Sequence, residues 1–183
     1  MATLNYEQLL GLGFKSIGKN VLISDKASFY NCPMIEIGDS VRIDDFCVLS
    51  AGSGGIVLGS HIHIAVFSSL IGAARIEIQD FCNISSRVSI YSSSDDYSGL
   101  AMTNPMIPDE YRLVKSAPVI LEKHTIVGTS SVILPGVHLE KGVAIGALSL
   151  VNDSCSEFGI YAGIPAKKIK ERNRELLNFE KYI

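Results

Sequence analysis

A six-residue period of bulky aliphatic residues runs through most of this 183-residue chain. From Ile37 onward the sequence divides into units such as IGDSVR, IDDFCV, LGSHIH, IQDFCN and ISSRVS, and each unit begins with Ile, Leu or Val. Small residues follow, namely Gly, Asn, Asp and Ser, which tolerate tight corners. About fourteen units keep this phase. An antiparallel sandwich would instead alternate apolar and polar residues, with turns about every eight to twelve residues.

Three such units predict one triangular coil whose aliphatic side chains share a core, and stacked coils pair as parallel strands. The predicted fold class is therefore all-β, a parallel β-helix over about 17–162 within a single domain, 1–183. A short helix is predicted over Tyr6–Leu12. Residues 92–117 break the repeat with prolines, serines and charges, and long insertions in compact domains are usually functional. Pro165 precedes strong helix formers, which predicts an amphipathic C-terminal helix over about 165–180.

Composition excludes several classes of function. The net charge is −3 and Trp is absent, which argues against a nucleic-acid surface. No apolar run is long enough to cross a membrane, and the N-terminus lacks the features of a signal peptide. The cysteines show neither CxxC pairing nor metal-ligand spacing, so we expect no metal, free thiols and a cytoplasmic location. They are Cys32, Cys47, Cys82 and Cys155.

Four short motifs mark the C-terminal coils: Gly128-Thr129, Leu134-Pro135-Gly136-Val137, Ile145-Gly146-Ala147 and Ala162-Gly163-Ile164-Pro165-Ala166. Together with the repeat, they make the chain resemble the hexapeptide-repeat acyltransferases from about residue 17 to the end. The resemblance implies a left-handed coil, a homotrimer with active sites between subunits, and acetyl-CoA as the co-substrate in an intersubunit groove.

The same resemblance implies a set of residues that bind coenzyme A. Small residues would let the pantetheine arm approach the backbone, and basic residues would lie near the nucleotide phosphates. The alternative is that the small residues only form coil corners and that the lysines are solvated. The residues are Gly128, Thr129, Gly146 and Ala147 for the arm, and Lys167 and Lys170 for the phosphates.

The insertion opens with Ser94-Asp95-Asp96-Tyr97-Ser98-Gly99 and continues with TNPMIPDEYR. Galactoside and maltose O-acetyltransferases carry a catalytic His at this point, whereas 92–117 contains no His. The stretch more closely resembles acyltransferases that act on nucleotide-linked amino sugars for bacterial surface polysaccharides. By that resemblance Asp95 and Asp96 are candidate catalytic residues and Tyr97 a substrate-binding residue. Otherwise the two aspartates simply begin a polar turn.

A His61-Ile62-His63 stretch lies one coil before the insertion. Residues i and i+2 of a strand face the same side, so the two imidazoles are predicted to be neighbours. His63 is the candidate catalytic base and His61 a candidate contact of the acceptor. Ser85 and Ser86 follow at a similar phase and are candidate hydrogen-bond partners of the acceptor. The alternatives are solvent-facing histidines and ordinary corner serines.

The acidic pair bears on the kind of acceptor. A carboxylate, with a reference pKa of about 3.9, is a weaker base than imidazole at about 6.5, and a sugar hydroxyl needs a base. A neutral amine is already nucleophilic and needs mainly positioning. The predicted function is therefore direct N-acetylation of a nucleotide-linked amino sugar, without a covalent acyl-enzyme. Sugar O-acetylation with His63 as base, a carbonic-anhydrase-like metalloenzyme and a non-catalytic β-helix subunit remain as alternatives.

Overall fold

The computed structural model describes residues 1–183, and their short strands form a parallel β-helix. Helix α1 spans Tyr6–Gly11, close to the predicted helix, and Asn5 caps it in a capping box with Gln8. The strands in chain order are β1 Ser16–Ile17, β2 Leu22–Ile23, β3 Ser28–Tyr30, β4 Ile35–Ile37, β5 Arg42–Ile43, β6 Val48–Ala51, β7 Ile56–Leu58, β8 His63–Ile64, β9 Ser69–Gly72, β10 Ile76–Ile78, β11 Asn83–Ile84, β12 Ser89–Tyr91, β13 Ser93–Ser94, β14 Lys115–Ser116, β15 Val119–Leu121, β16 Ile126–Val127, β17 Val132–Ile133, β18 His138–Leu139, β19 Ala144–Ile145, β20 Leu150–Val151, β21 Gly159–Gly163 and β22 Ala166–Glu171. Four 3-10 helices span Cys32–Met34, Asp109–Tyr111, Glu175–Asn178 and Glu180–Tyr182. None of these helices has the length and apolar character that crossing a bilayer requires.

Three sheets form the faces of the β-helix, and all of their strands are parallel except the last strand of the second sheet. Sheet 1 contains β1, β4, β7, β10, β15 and β18; sheet 2 contains β2, β5, β8, β11, β16, β19, β21 and β22; sheet 3 contains β3, β6, β9, β12, β17 and β20. Successive coils place equivalent residues in register, as with Ile43 beside Ile64 and Ile64 beside Ile84. These side chains are fully buried, so the period of aliphatic residues is the core of the structure. The predicted all-β, parallel β-helix is confirmed.

The corners between sheets are made largely by non-glycine residues in the left-handed backbone conformation. Phe46, Phe67 and Arg87 have φ near 60° at successive corners between sheets 2 and 3. Such residues cost free energy in isolation. Hydrogen bonds between the corners of successive coils offset this cost. Phe67 N, for example, donates to Asp45 O over 3.1 Å.

The segment predicted to be a helix over about 165–180 is helical only near its end. Ala166–Glu171 is instead strand β22, which runs antiparallel to β21, and the short 3-10 helices follow it. The physical reason is the open edge of sheet 2: β21 is the last parallel strand, and its unpaired N–H and C=O groups need partners. Gly163, with φ of 105°, reverses the chain so that β22 supplies them.

The insertion is closed at its base by a two-stranded antiparallel ribbon. Ser93 pairs with Ser116 and Ser94 with Lys115, so residues 95–114 project from the β-helix between β12 and β15. The insertion thus leaves the coil where sheet 3 ends and returns to it where sheet 1 begins. It carries the aspartates and Tyr97 that the sequence marks as candidates.

Candidate active site

One corner of the β-helix brings six of the predicted site residues together. Thr129 Oγ1 donates to the Ser86 carbonyl over 2.6 Å, and Leu148 N donates to the Thr129 carbonyl over 2.9 Å. The side-chain hydroxyls of Ser85 and Ser86 make no hydrogen bond within the chain. The six residues lie on three successive coils, at the corner between sheets 2 and 3. We call them the corner column: Ser85, Ser86, Gly128, Thr129, Gly146 and Ala147.

Two positions of the corner column are occupied by glycine because the neighbouring coil leaves no room for a side chain. A Cβ at Gly128 would lie 2.5 Å from the backbone nitrogen of Ala147, and one at Gly146 would lie 2.9 Å from Cβ of Ala162. The coil above therefore accounts for both glycines. Contact of the column with a pantetheine arm remains a prediction.

Lys167 and Lys170 lie on β22, at the C-terminal end of sheet 2. In register, Lys167 faces Ala162 and Lys170 faces Ile160. Lys167 Nζ is 3.9 Å from an Asp153 carboxylate oxygen, and Lys170 forms no ion pair. Both ammonium groups are therefore exposed beyond the end of the corner column.

Asp96 holds the insertion in shape. Its carboxylate accepts hydrogen bonds from Ser98 Oγ at 2.7 Å, Ser98 N at 3.1 Å, Leu100 N at 2.9 Å and Ala101 N at 3.2 Å. These bonds, those of Ser98 first, hold the pKa of Asp96 below its usual value. With both oxygens engaged, Asp96 has little basicity left for a substrate.

Asp95 is exposed, and its carboxylate has no partner within the chain. It lines a cavity of about 340 Å³ together with Tyr97, which is 94% exposed. The other lining residues are Tyr91, Ser93, Ser94, Val132, Leu134 and Pro135. A larger cavity of about 540 Å³ lies under α1 at the N-terminal end and contains none of the predicted site residues.

A single chain does not bring Asp95 to the corner column. Ser85 lies where sheet 2 ends, whereas Asp95 lies beyond β12, and β12 crosses the whole of sheet 3 between them. The two residues therefore lie at opposite edges of one face of the β-helix.

The prediction that His61 and His63 face the same side of one strand is wrong, because His61 lies outside the strand. His61 is a corner residue with φ of 58°, and its ring stacks on Phe81 at 5.1 Å between centroids. His124 continues this stack on the other side of Phe81 at 4.9 Å. The alternation that places residues i and i+2 on one face fails because the strand begins only at His63.

His63 is bound instead by a carboxylate that sequence reasoning missed. His63 Nε2 lies 2.8 Å from Asp44 Oδ2, and Arg42 Nε donates to Asp44 Oδ1 over 2.7 Å. Burial alone raises the pKa of Asp44, but the hydrogen bonds and charges of His63 and Arg42 outweigh it and hold that pKa below its usual value. The residue type that follows each inward aliphatic residue differs from coil to coil. The repeat therefore could not predict that Asp44 and His63 pair.

Acid is expected to weaken the fold through Asp44. Because the folded pKa lies below that of a free aspartate, about 3.9, the ionised carboxylate stabilises the native state above about pH 4. That contribution is lost as the pH falls through the lower folded pKa. Urea unfolding from neutral pH down to about pH 3 should show a steeper loss of unfolding free energy in the wild type than in Asp44→Asn. Parallel curves would contradict this.

The buried cysteines are poorly suited to act as nucleophiles. All four are free thiols, and Cys47, Cys82 and Cys155 are buried. Burial raises the pKa of Cys82 to about 12 and that of Cys47 to about 11, so these thiols stay protonated. No cluster of three His, Cys, Asp or Glu side chains that could hold a metal ion is present.

Comparison with known proteins gives consistent relatives. No family model matches the chain. The chain is 56% identical over 180 residues to the Escherichia coli dTDP-4-amino-4,6-dideoxy-D-glucose acyltransferase, covering 98% of this chain and 94% of that protein. It is 29% identical over 146 residues to the putative lipopolysaccharide biosynthesis O-acetyl transferase WbbJ of E. coli K12, covering 79% of this chain and 72% of WbbJ.

Crystal structures of the N-acyltransferase AntD from Bacillus cereus have the same fold. One variant in complex with dTDP and coenzyme A gives a TM-score of 0.95 at 47% identity, covering 100% of this chain and 97% of AntD. A complex with dTDP and 3-hydroxybutyryl-CoA gives 0.93 at 48% identity, covering 98% and 95%. With more than half its residues shared with the E. coli enzyme over nearly its whole length, the chain belongs to the dTDP-4-amino-4,6-dideoxyglucose acyltransferases, acyl-CoA-dependent enzymes of the hexapeptide-repeat family.

Proposed function

We propose that this enzyme transfers an acyl group from acyl-CoA to the amino nitrogen of dTDP-4-amino-4,6-dideoxyglucose. The observation that carries the proposal is the free carboxylate of Asp95, in the insertion where the O-acetylating relatives have a His. A carboxylate can accept hydrogen bonds from an amine and stabilise the positive charge that its nitrogen gains on attack.

The spacing of substituted residues in AntD supports Asp95. Its crystallised variants alter an aspartate and a serine ten positions before it, two of them in complex with dTDP-4-amino-4,6-dideoxyglucose and coenzyme A. This chain has two pairs with that spacing, Ser85 with Asp95 and Ser86 with Asp96. Because the insertion engages both oxygens of Asp96, we assign the acceptor site to Ser85 and Asp95.

A homotrimer would unite these two residues. Since Ser85 and Asp95 lie at opposite edges of sheet 3, one chain cannot hold both against the same nitrogen. We propose that the insertion of one subunit lies over the corner column of its neighbour. The donor would lie along the column, with its thioester near Ser86 and its phosphates near Lys167 and Lys170. Because its donor is a product of central metabolism, we place the enzyme in the cytoplasm.

The chemistry needs no covalent intermediate. The neutral amine attacks the thioester carbonyl, the carbon–nitrogen bond forms, and the carbon–sulfur bond breaks to release coenzyme A as its thiol. Asp95 orients the amine, and the Ser85 hydroxyl is free to donate to the carbonyl oxygen as it gains charge. The product would enter the synthesis of a bacterial surface polysaccharide.

The acyl group proposed is acetyl, as the resemblance implies, and 3-hydroxybutyryl is the rival because AntD binds that donor. Thiol release from acetyl-CoA and from 3-hydroxybutyryl-CoA should be measured with dTDP-4-amino-4,6-dideoxyglucose and with a neutral dTDP-hexose. We expect turnover only with the amine, and a higher kcat/KM with acetyl-CoA. Efficient transfer to the neutral sugar would favour O-acetylation, for which WbbJ is the precedent.

A further inference from the structure

A nearly buried carboxylate lies at the same corner of the β-helix as Ser85, two coils before it. The Asp44 side chain is only 9% exposed, and its two oxygens are divided between Arg42 at 2.7 Å and His63 at 2.8 Å. An ionised carboxylate in such a position requires partners. Both partners reach it from the outer face of sheet 2, in register on neighbouring strands β5 and β8.

The bond to Asp44 determines which nitrogen of His63 is free. The carboxylate is ionised and can only accept, so His63 Nε2 must carry the hydrogen. Nδ1 is then the unprotonated nitrogen of the neutral ring. It has no partner within the chain, and the side chain is 40% exposed. His63 therefore presents a ring nitrogen that has no partner to the outside of the β-helix, with the ring held by Asp44.

His63 lies close to Ser85. Its register partner on β11 is Asn83, and Ser85 lies two residues further along the chain, immediately after the end of β11. Strand spacing and rise per residue place the Cα atoms of His63 and Ser85 about 8 Å apart. Ala65 lies between His63 and Ser85, and its side chain is only a methyl group. A sugar ring can therefore contact both His63 and Ser85.

The charges around His63 are few. Asp44 and Arg42 lie on the preceding coil, and the following coil offers the uncharged Asn83. Asp45, the next acid along the chain, accepts a hydrogen bond from Ser24 and lies 3.7 Å from Lys26. Asp44 is thus the one carboxylate that bonds the imidazole.

We propose that His63 accepts the proton released by the acceptor amine, and that Asp44 is the positioning residue that holds its imidazole for this step. The inference rests on the proposed function and adds to it a destination for the proton. As the carbon–nitrogen bond forms, the amine nitrogen loses one proton to His63 Nδ1. The carbon–sulfur bond breaks, and the thiolate of coenzyme A takes up that proton.

The test combines three variants with a matched control pair. His63→Gln should lower kcat about 100-fold, the usual scale for losing a general base. Asp44→Asn should lower kcat about tenfold or more because the imidazole loses its orientation. Neither should change the KM for acyl-CoA. The double variant should be no slower than His63→Gln alone, because Asp44 acts through His63.

His138 and Glu122 provide the control. Their Nε2 to Oε1 distance is also 2.8 Å, and His138 is 41% exposed, but the pair lies on sheet 1, away from the corner column. His138→Gln and Glu122→Gln should therefore retain the wild-type kcat. Thermal unfolding of every variant separates a loss of fold from a loss of turnover.

The outcomes are distinct. If the wild type acylates the amino sugar but His63→Gln keeps its kcat, the inference is overturned and the proposed function stands. If the losses of His63→Gln and Asp44→Asn multiply in the double variant, Asp44 does not act through His63. If the wild type acylates no amino sugar, the proposed function fails and the inference with it. Should Asp44→Asn not fold, the exposed His63→Gln still decides whether the imidazole takes part.

Discussion

Asp95→Asn is expected to lower kcat about 100-fold or more while the KM for acyl-CoA stays unchanged. The carboxylate is exposed, has no partner and lines a cavity, so its removal costs the protein no internal contact. An amide has nearly the same shape but cannot stabilise the charge on the attacking nitrogen. Steady-state kinetics with a varied amino sugar at saturating acyl-CoA would measure kcat, and varying acyl-CoA at saturating amino sugar would measure its KM.

Two further aspartates serve as references for that result. Asp96→Asn should lower the resistance of the insertion to proteolysis, because the Asp96 carboxylate organises its backbone. Asp25→Asn, at an exposed acid remote from the site, should behave as wild type. If turnover survives both Asp95→Asn and Asp96→Asn, neither of these adjacent aspartates is catalytic.

Gly128→Ala is expected to destabilise the β-helix by about 1–3 kcal/mol, the usual cost of overpacking. The added methyl would lie 2.5 Å from Ala147 N and 2.8 Å from the Gly146 carbonyl carbon. Both are backbone atoms of the next coil, which cannot rotate away as a side chain would. Chemical denaturation monitored by circular dichroism should show a lower midpoint.

Gly11→Ala is the matched control, because a Cβ at Gly11 meets no atom within 4 Å. It should leave the unfolding midpoint unchanged or raise it slightly. A Gly128→Ala protein with wild-type stability and a raised KM for acyl-CoA would show that the position is kept small for the ligand rather than for the coil. Reduced stability in both variants would point to a general cost of replacing glycine.

Sequence reasoning predicted the position of the insertion, which the structure shows projecting from the β-helix, but could not distinguish its two aspartates. They are adjacent and chemically identical, and only the backbone path from Ser98 to Ala101 engages one of them. The resemblance to amino-sugar acyltransferases was confirmed by relatives across the whole chain. The roles of Asp95, Ser85 and the coenzyme A residues remain predictions.

The sequence by itself determined the architecture, because each inward residue recurs at a constant local period and every coil repeats the same solution. Only the tertiary structure decided which side chains contact each other between coils, because such partners lie about twenty residues apart in the sequence. Asp44 holds His63 across that distance, and Phe81 stacks on the ring of His61. Ala166–Glu171 became a strand because the open edge of sheet 2 needed partners, a requirement that no local helix preference expresses.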